Sequence, residues 1–385
     1  MRIKSQPAGF ETTSQDVLRR PLGGLIMCFA VCGAVVALGG CVTGPRLADL
    51  QALPAPHLSP GAPPGVVDAR AGFRPRFCAA LASRDSHRSG PDCESWLHRL
   101  DDEPTAGVSS TARPVAMDVL LVTGAFSECF GQHARPFDAA VTELAGGPHR
   151  FRTVVVGGRS GPKHNAAQIA AHLEEHPPDM ERPLMLIGYS KGATDIMQFL
   201  VDYPAQASAV DAVISVAGAV YGSPLADVFD GTYHLLFSHV PMNSCGTGDS
   251  GVVHSLRTDL RRQWLEDNAL PADIRYYSLA AFTTRDRLAR ALVPTWRMLL
   301  RHDERNDGQL IPADALLPGS AVLGYVNADH WAVAMEIEKD LGFWAHRDSA
   351  AAFPHAALLE AVLDHVGADL AQTGAKVALS GPGTE

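Results

Sequence analysis

The sequence predicts an α/β fold in which helices cover both faces of a mostly parallel central sheet. Short runs rich in Val, Ile and Leu recur from residue 117 onward, most of them ending at or near a glycine. Segments of helical length and pattern separate these runs. Buried parallel strands have this composition, and βαβ units have this spacing. In such sheets, ligands bind at the carboxyl ends of the strands.

Six strands and three main helices follow from these patterns. We expect strands at 117–123, 151–156, 183–189, 210–217, 275–281 and 321–326, and helices at 135–145, 165–175 and 192–202. The first strand is not followed by the G-x-G-x-x-G order of dinucleotide-binding folds, and no Walker-type phosphate loop occurs. A nucleotide-binding fold is therefore disfavoured.

The first forty residues have the pattern of an export signal. Two arginines at 19–20 precede an apolar stretch at 22–40, which ends in Leu-Gly-Gly-Cys at 38–41. This ending resembles the lipobox of bacterial lipoproteins. The resemblance implies cleavage after residue 40 and a lipid on Cys41, with Val42 favouring the outer membrane of the cell envelope. An uncleaved signal anchor is the alternative, because the apolar stretch is about long enough to cross a bilayer.

The chain between Cys41 and the first predicted strand divides into two parts. Residues 41–72 are rich in proline and lack hydrophobic periodicity, which predicts a semi-extended tether. Residues 73–114 predict an extension of short helix and loop. The α/β domain is expected at 115–375, with an insertion at 218–274 that we interpret as a lid or cap, the alternative being a surface excursion.

Four cysteines follow Cys41 in the chain: Cys78, Cys93, Cys129 and Cys245. An even number of cysteines in an oxidising compartment predicts two disulfides. Three pairings are possible, and the sequence does not choose among them. Pairing the first two closes a short local loop and would leave the last two to each other, while four buried free thiols are the alternative.

The pentapeptide Gly-Tyr-Ser-Lys-Gly at 188–192 lies between the third predicted strand and a helix. In a G-x-S-x-G sequence the glycines permit a strained turn that raises the serine Oγ above the sheet. The following helix then directs its N-terminus at a developing oxyanion. We therefore predict that Ser190 is a nucleophile. A Ser–Lys dyad with Lys191 is disfavoured, because adjacent side chains on a sharp turn point apart.

A serine hydroxyl is a poor nucleophile until a base takes its proton, and the base needs an acid to orient it. His330 directly follows the last predicted strand, whereas the other downstream histidines lie in polar segments or helices. Catalytic loops gather at the carboxyl ends of strands. His330 is therefore the predicted base.

The predicted acid is Asp307, which lies in an Asn-Asp-Gly turn upstream of the base. Asp286 is the main alternative, because it comes soon after the fifth predicted strand. Asp303 and Glu304 also compete. Asp329 would have to fold back onto the imidazole of the next residue.

The ordered set GYSKG, NDGQLIP and ADHW resembles the lipase and esterase branch of the α/β-hydrolase superfamily, over roughly residues 115–370. The resemblance implies hydrolysis of carboxylic esters through an acyl-enzyme, without a metal or cofactor. Ser190 would attack the ester carbonyl, His330 would relay the proton, and Asp307 would orient the imidazole.

The same resemblance implies an oxyanion hole made of backbone N–H groups. The donors would be Lys191 and either Ala125 or Phe126. The loop after the first strand reads Thr-Gly-Ala-Phe, where many lipases have His-Gly. This departure leaves the donor from that loop open.

The expected partners are a small-molecule or lipid ester and, through Cys41, a membrane. The formal net charge is −10 and the 32 Lys and Arg residues form no dense run, so a nucleic-acid partner is not expected. The same residues would serve an acyltransferase or amidase. Outside catalysis, the alternative is an envelope lipoprotein that retains the fold without activity.

Overall fold

The computed structural model describes residues 44–84, 92–105, 112–130, 135–236, 246–336 and 353–379. The predicted signal segment, Cys41 and Cys245 lie outside these ranges. Within them, no helix combines the length and the apolar character needed to cross a bilayer.

Among the described residues, the central sheet has seven strands, and every strand pairs with its neighbours in parallel. The six predicted strands all form, with ends within two residues of the expected positions. The sheet buries most of each run except at the edge strand Arg150–Val154, where only Val154 is buried. The strands are β1 (Val67–Asp68), β2 (Asp118–Val122), β3 (Arg150–Val154), β4 (Leu184–Tyr189), β5 (Val210–Val216), β6 (Arg275–Ala281) and β7 (Ala321–Val326). Their spatial order is β1-β7-β6-β5-β4-β2-β3.

Helices surround the sheet, as a buried parallel sheet requires. The three predicted helices form as α4, α5 and α6, and α5 and α6 bury their apolar faces with β2, β4 and β5 in one core cluster. The helices are α1 (Leu47–Ala52), α2 (Arg70–Arg84), α3 (Ser127–Phe130), α4 (Asp138–Leu144), α5 (Pro162–Glu175), α6 (Lys191–Asp202), α7 (Pro204–Ala207), α8 (Pro224–Leu236), α9 (Thr258–Asp267), α10 (Val293–Leu299) and α11 (His355–Leu379).

Residues 44–72 pack onto the domain, so the prediction of a tether was wrong for this segment. Helix α1 buries Leu50 completely, and β1 extends the sheet beside β7. The buried Arg70 guanidinium bonds the carboxylates of Asp68 and Asp102. Proline fixes φ without preventing turns or 3-10 helices, so a proline-rich segment without periodicity can still be packed.

The Cys78–Cys93 disulfide forms, and it joins α2 to a 3-10 turn at Cys93–Ser95. Cys129 is also disulfide-bonded. Its pairing with Cys245 stays a prediction, because Cys245 lies outside the described residues.

The insertion between β5 and β6 contains α8 and α9. Asp249 Oδ1 accepts the N–H of Gly161 at 2.7 Å, and the N–H of Val252 donates to the carbonyl of Arg159 at 3.3 Å. These bonds hold part of the insertion against the loop that follows β3, at the carboxyl edge of the sheet. Its role as a lid or cap stays a prediction.

Candidate active site

Ser190 lies on a sharp turn between β4 and α6. Its φ is 54° and its ψ is −127°, a conformation that costs a non-glycine residue on the order of 1–3 kcal/mol. Two backbone bonds hold the turn: Ser190 N–H donates to Val216 O at 3.2 Å, and Ala219 N–H donates to Ser190 O at 3.0 Å. The neighbouring strand thus maintains the strain that raises Oγ above the sheet.

Both glycines of the pentapeptide are required by close backbone approach. A Cβ at Gly188 would lie 2.6 Å from the Cα of Ala193, and a Cβ at Gly192 would lie 2.5 Å from the carbonyl oxygen of Val122. Side chains at these positions would force the strand and helix apart. The steric reason for the motif therefore holds in this chain.

The structure brings Ser190, His330 and Asp307 together. His330 Nε2 lies 2.9 Å from Ser190 Oγ, and His330 Nδ1 lies 2.7 Å from Asp307 Oδ2. The relative exposures of the three residues are 9%, 2% and 1%, in the order serine, histidine, aspartate. In this arrangement the imidazole donates its Nδ1–H to the carboxylate and can accept the serine proton at Nε2.

The carboxylate of Asp307 is fixed by its own turn. Its Oδ1 accepts the backbone N–H groups of Gln309 at 2.8 Å and Leu310 at 2.7 Å, which leaves Oδ2 for the imidazole. The backbone carbonyl of Asp307 also accepts the N–H of His330 at 2.8 Å. The acid and base loops are therefore bonded to each other through main chain as well as side chain.

The competing carboxylates lie elsewhere. Asp286 is exposed on a 3-10 turn at Arg285–Arg287, and Glu304 is exposed. Asp303 accepts a bond from the backbone of Arg305. None of these three bonds the imidazole of His330 in the described structure.

Sequence reasoning missed two residues that hold the base loop. The hydroxyl of Tyr189 donates to the carbonyl of His330 at 2.7 Å. Burial, together with the nearby carboxylates of Asp307 and Asp329, holds the pKa of Tyr189 well above its usual value, so the hydroxyl stays a donor. Its place inside the pentapeptide was the available signal.

The second missed residue is Asp329, which acts through the backbone. Its Oδ1 accepts the N–H groups of Trp331 and Ala332, and its Oδ2 accepts the N–H of Ala289 at 2.7 Å. Asp329 thus shapes the turn that carries the imidazole. An acidic residue directly before a predicted base was the signal that could have suggested it.

The backbone around Ser190 Oγ narrows the choice of oxyanion donors. Lys191 begins α6, where backbone N–H groups have no partner within the helix. A Cβ at Gly124 would lie 3.0 Å from the Cβ of Ser190, so the loop after β2 passes directly beside the serine. The N–H of Phe126 already donates to Gly158 O at 2.8 Å, so Phe126 is not available as an oxyanion donor. Of the two predicted donors in this loop, Ala125 is therefore favoured.

The side chain of Lys191 is buried and paired, so it is not placed to serve as a base for Ser190. Its Nζ lies 2.5 Å from Asp195 Oδ1, and Asp195 Oδ2 accepts a bond from Asn165 at 2.8 Å. Burial lowers the pKa of Lys191 and raises that of Asp195, because each charge leaves water. The amide of Asn165 also donates to Gly157 O at 3.1 Å, which ties α6 to the loop after β3.

Within the residues that the structure describes, no group of three or more His, Cys, Asp or Glu side chains is arranged to hold a metal ion.

Comparison with known proteins agrees with this fold. No protein-family model and no curated protein matches the sequence. The crystal structure of the metagenomic carboxyl esterase MGS0156 is 32% identical, covers 91% of this chain and 100% of its own, and superposes with a TM-score of 0.71. The mature Bacillus licheniformis lipase BlEst2 is a more distant likeness, 21% identical over 58% of this chain and 87% of its own, with a TM-score of 0.44. Because the match to the carboxyl esterase covers 91% of this chain, the chain belongs to the carboxyl esterases of the α/β-hydrolase superfamily.

Proposed function

We propose that this protein hydrolyses carboxylic esters through an acyl-enzyme on Ser190. The observation that carries the proposal is the continuous pair of contacts from Ser190 Oγ to His330 Nε2, at 2.9 Å, and from His330 Nδ1 to Asp307 Oδ2, at 2.7 Å. These distances lie within hydrogen-bond reach for a nucleophile, a base and an orienting acid.

In the acylation half-reaction, Ser190 Oγ bonds the ester carbonyl carbon as its proton passes to His330 Nε2. The carbonyl oxygen becomes an oxyanion, which accepts bonds from the backbone N–H groups of Lys191 and Ala125. The tetrahedral intermediate then collapses, the bond to the alcohol oxygen breaks, and the imidazolium returns its proton to the leaving alcohol. The acyl group remains on the serine oxygen.

Deacylation repeats these steps with water. His330 takes a proton from the water as its oxygen attacks the acyl carbon, and then protonates Ser190 Oγ as the carboxylic acid leaves. The buried carboxylate of Asp307 stabilises the imidazolium that forms in both halves. Loss of one oxyanion donor costs about 10²–10³ in kcat in enzymes of this mechanism, so the N–H groups contribute substantially to the rate.

The test is labelling of the purified protein by a fluorophosphonate probe, which captures a serine activated in this way. We expect labelling of the wild-type protein and none of Ser190→Ala. Ser208→Ala changes an exposed serine and is the matched control that should label normally. A wild-type protein that neither labels nor hydrolyses nitrophenyl esters would favour the non-catalytic alternative, and an ester series of increasing acyl length would separate esterase from lipase.

We also propose that a lipid on Cys41 holds the protein at the cell envelope. The motif at 38–41 supports this, and the domain is already packed at Gly44, where a Cβ would collide with the Trp296 ring. Three residues span at most about 10 Å, so a lipid on Cys41 would hold the domain close to the bilayer.

The test of the anchor is Cys41→Ala, followed by fractionation of membranes. We expect the variant to leave the membrane fraction or to remain unprocessed. Membrane retention at full length, unchanged by the substitution, would instead support a signal anchor.

A further inference from the structure

A short segment outside the sheet lies against the strand that leads to the base. This staple segment comprises residues 93–98, and the Cys78–Cys93 disulfide joins its first residue to α2. Leu97 forms an antiparallel bridge with Val326 at the end of β7, and the N–H of His98 donates to Tyr325 O at 2.9 Å. The staple segment is thus fixed at one end by a covalent bond and at the other by strand contacts.

Asn327 connects the staple segment to the base loop. Its backbone N–H donates to Trp96 O at 2.8 Å, and its side-chain amide donates to Ser95 O at 3.0 Å. Asn327 is buried and precedes His330 by three residues. The start of the loop that carries the imidazole is therefore bonded to residues 95 and 96.

Arg287 strengthens the same connection from a third segment. Its Nη1 donates to Ser95 O at 2.6 Å and to Asn327 O at 3.4 Å. Its guanidinium also lies over the ring of Trp96, 5.2 Å from the centroid, as a cation–π contact. One cation thus bonds both the staple segment and the base loop.

The network continues to the acid loop through Thr283. The Thr283 hydroxyl donates to Asn327 Oδ1 at 2.8 Å, and its backbone N–H donates to Asn306 O at 3.2 Å. Asn306 is fully buried and directly precedes Asp307. The side chain of Asn327, at the start of the base loop, therefore bonds both Ser95 of the staple segment and Thr283, whose backbone holds the acid loop.

From this network we infer that Arg287 and Asn327 are positioning residues for the reaction, and that the disulfide-held staple segment is the support against which they set the distance between Asp307 and His330. The inference rests on the proposed function, since it concerns the same acid and base. A displacement of about 1 Å at a reacting group can cost about 10²-fold in rate. Asn327 and Thr283 are buried and Arg287 is half-buried, so a lost partner leaves a polar group unpaired and the loops shift to satisfy it.

The first test is kinetic and uses Arg287→Met and Asn327→Ala. We expect kcat to fall by about 10- to 100-fold while KM stays within about twofold, because the imidazole and carboxylate shift while the substrate contacts remain. Arg287→Lys retains a charge and a donor, and should recover part of the loss. Arg285→Met, an exposed arginine on the same 3-10 turn, is the matched control and should leave kcat unchanged.

The pH profile distinguishes positioning from general damage. When Asp307 is held correctly, its carboxylate stabilises the protonated imidazole. If the carboxylate is loosened, the fall of kcat/KM on the acidic side of the pH profile (its acidic limb) should move to lower pH. Partial unfolding lowers the amplitude and leaves the limb in place. Variants that stay folded by circular dichroism and show either wild-type kcat or an unmoved acidic limb would overturn the inference, whereas an inactive wild-type protein would overturn the proposed function instead.

The second test removes the disulfide with the double variant Cys78→Ser/Cys93→Ser. We expect a lower kcat and the same shift of the acidic limb, smaller than in Asn327→Ala because the strand contacts of residues 97 and 98 remain. A folded double variant with unaltered kcat and pH profile would show that the disulfide has no part in positioning the acid and base.

Discussion

The two sides of the candidate site are held in different ways. On the nucleophile side, most supports are close in sequence: Ser190 sits between β4 and α6, and Lys191 pairs with Asp195 one helical turn on. The main-chain bonds of Ser190 reach only to Val216 and Ala219, at the end of the next strand in the chain. On the acid–base side, local bonds shape the turns of Asp307 and Asp329, and further supports come from far along the chain. The Tyr189 hydroxyl donates to His330 O from 141 residues away, and Ser95 O accepts the amide of Asn327 across 232 residues. A local motif can therefore specify the nucleophile, whereas the acid and base depend on the completed fold.

The largest effect should come from the acid itself, in Asp307→Asn. The asparagine oxygen can still accept the N–H groups of Gln309 and Leu310, so the turn should persist. The amide nitrogen then faces the imidazole and favours the wrong tautomer, and we expect kcat to fall by about 10⁴-fold. Steady-state hydrolysis of a nitrophenyl ester measures the loss.

The matched control for this substitution is Asp286→Asn, at the alternative acid that the sequence left open. Asp286 is exposed, and its substitution should change kcat by less than about twofold. A large loss in Asp286→Asn with little loss in Asp307→Asn would reverse the assignment. It would also remove the contrast between the two sides, since the acid would then lie on a surface turn.

On the nucleophile side, Lys191→Met should mainly affect stability. The substitution leaves the Asp195 carboxylate buried without its cation, and breaking a buried pair in this way costs about 3–5 kcal/mol. Denaturant unfolding of the variant measures the change. Lys163→Met, at an exposed position on α5, is the control and should be nearly neutral.

The double variant Lys191→Met/Asp195→Leu sharpens this result. Replacing both charges with apolar groups removes the unpaired carboxylate, so most of the lost free energy of unfolding should return. If the double variant were as unstable as the single one, the pair would contribute through packing and the bonds of Asn165 rather than through charge.

The sequence predicted the nucleophile side well because its determinants are local. A strand, a pentapeptide and a helix are contiguous, and the glycines report a steric need at their own positions. His330 and Asp307 could also be predicted, because His330 follows a predicted strand and Asp307 lies in a recognisable turn, within an ordered set of motifs. The sequence showed their residue types and their order in the chain, but not the distant residues that support them.

The packing of residues 44–72 and the distant supports of the acid–base side could not be predicted from the sequence. Residues 44–72 have no periodicity because they pack through turns, one short helix and a two-residue strand. Ser95 and Trp96 contribute backbone carbonyl oxygens. Because every residue has one, the residue types at 95 and 96 give no indication of this role. Arg287 and Asn327 are polar residues in loops, and only the fold shows that each is directed at those carbonyls.

The smallest predicted effect concerns the pH dependence of stability, and it follows from His98 in the staple segment. His98 stacks on Phe282, and its Nε2 lies 2.9 Å from Phe282 O. Burial lowers the pKa of His98 to about 3, so the folded protein holds this ring neutral at a pH where the unfolded chain protonates it. Stability from this group is complete above about pH 6.5 and is lost as the pH falls toward 3. Between pH 6.5 and 5 the loss approaches about 2 kcal/mol.

His98→Gln isolates this contribution, because the amide can still donate to Phe282 O and does not titrate. We expect the free energy of unfolding of the wild-type protein to fall more steeply between pH 7 and 5 than that of the variant. Burial also lowers the pKa of His365, to about 4, so the free energy of unfolding of both proteins should fall with pH in this range. Only the additional fall in the wild-type protein belongs to His98. If the two proteins had parallel pH dependences, His98 would be hydrated in solution. The staple segment would then support the acid and base less firmly than the buried Lys191–Asp195 pair supports the nucleophile.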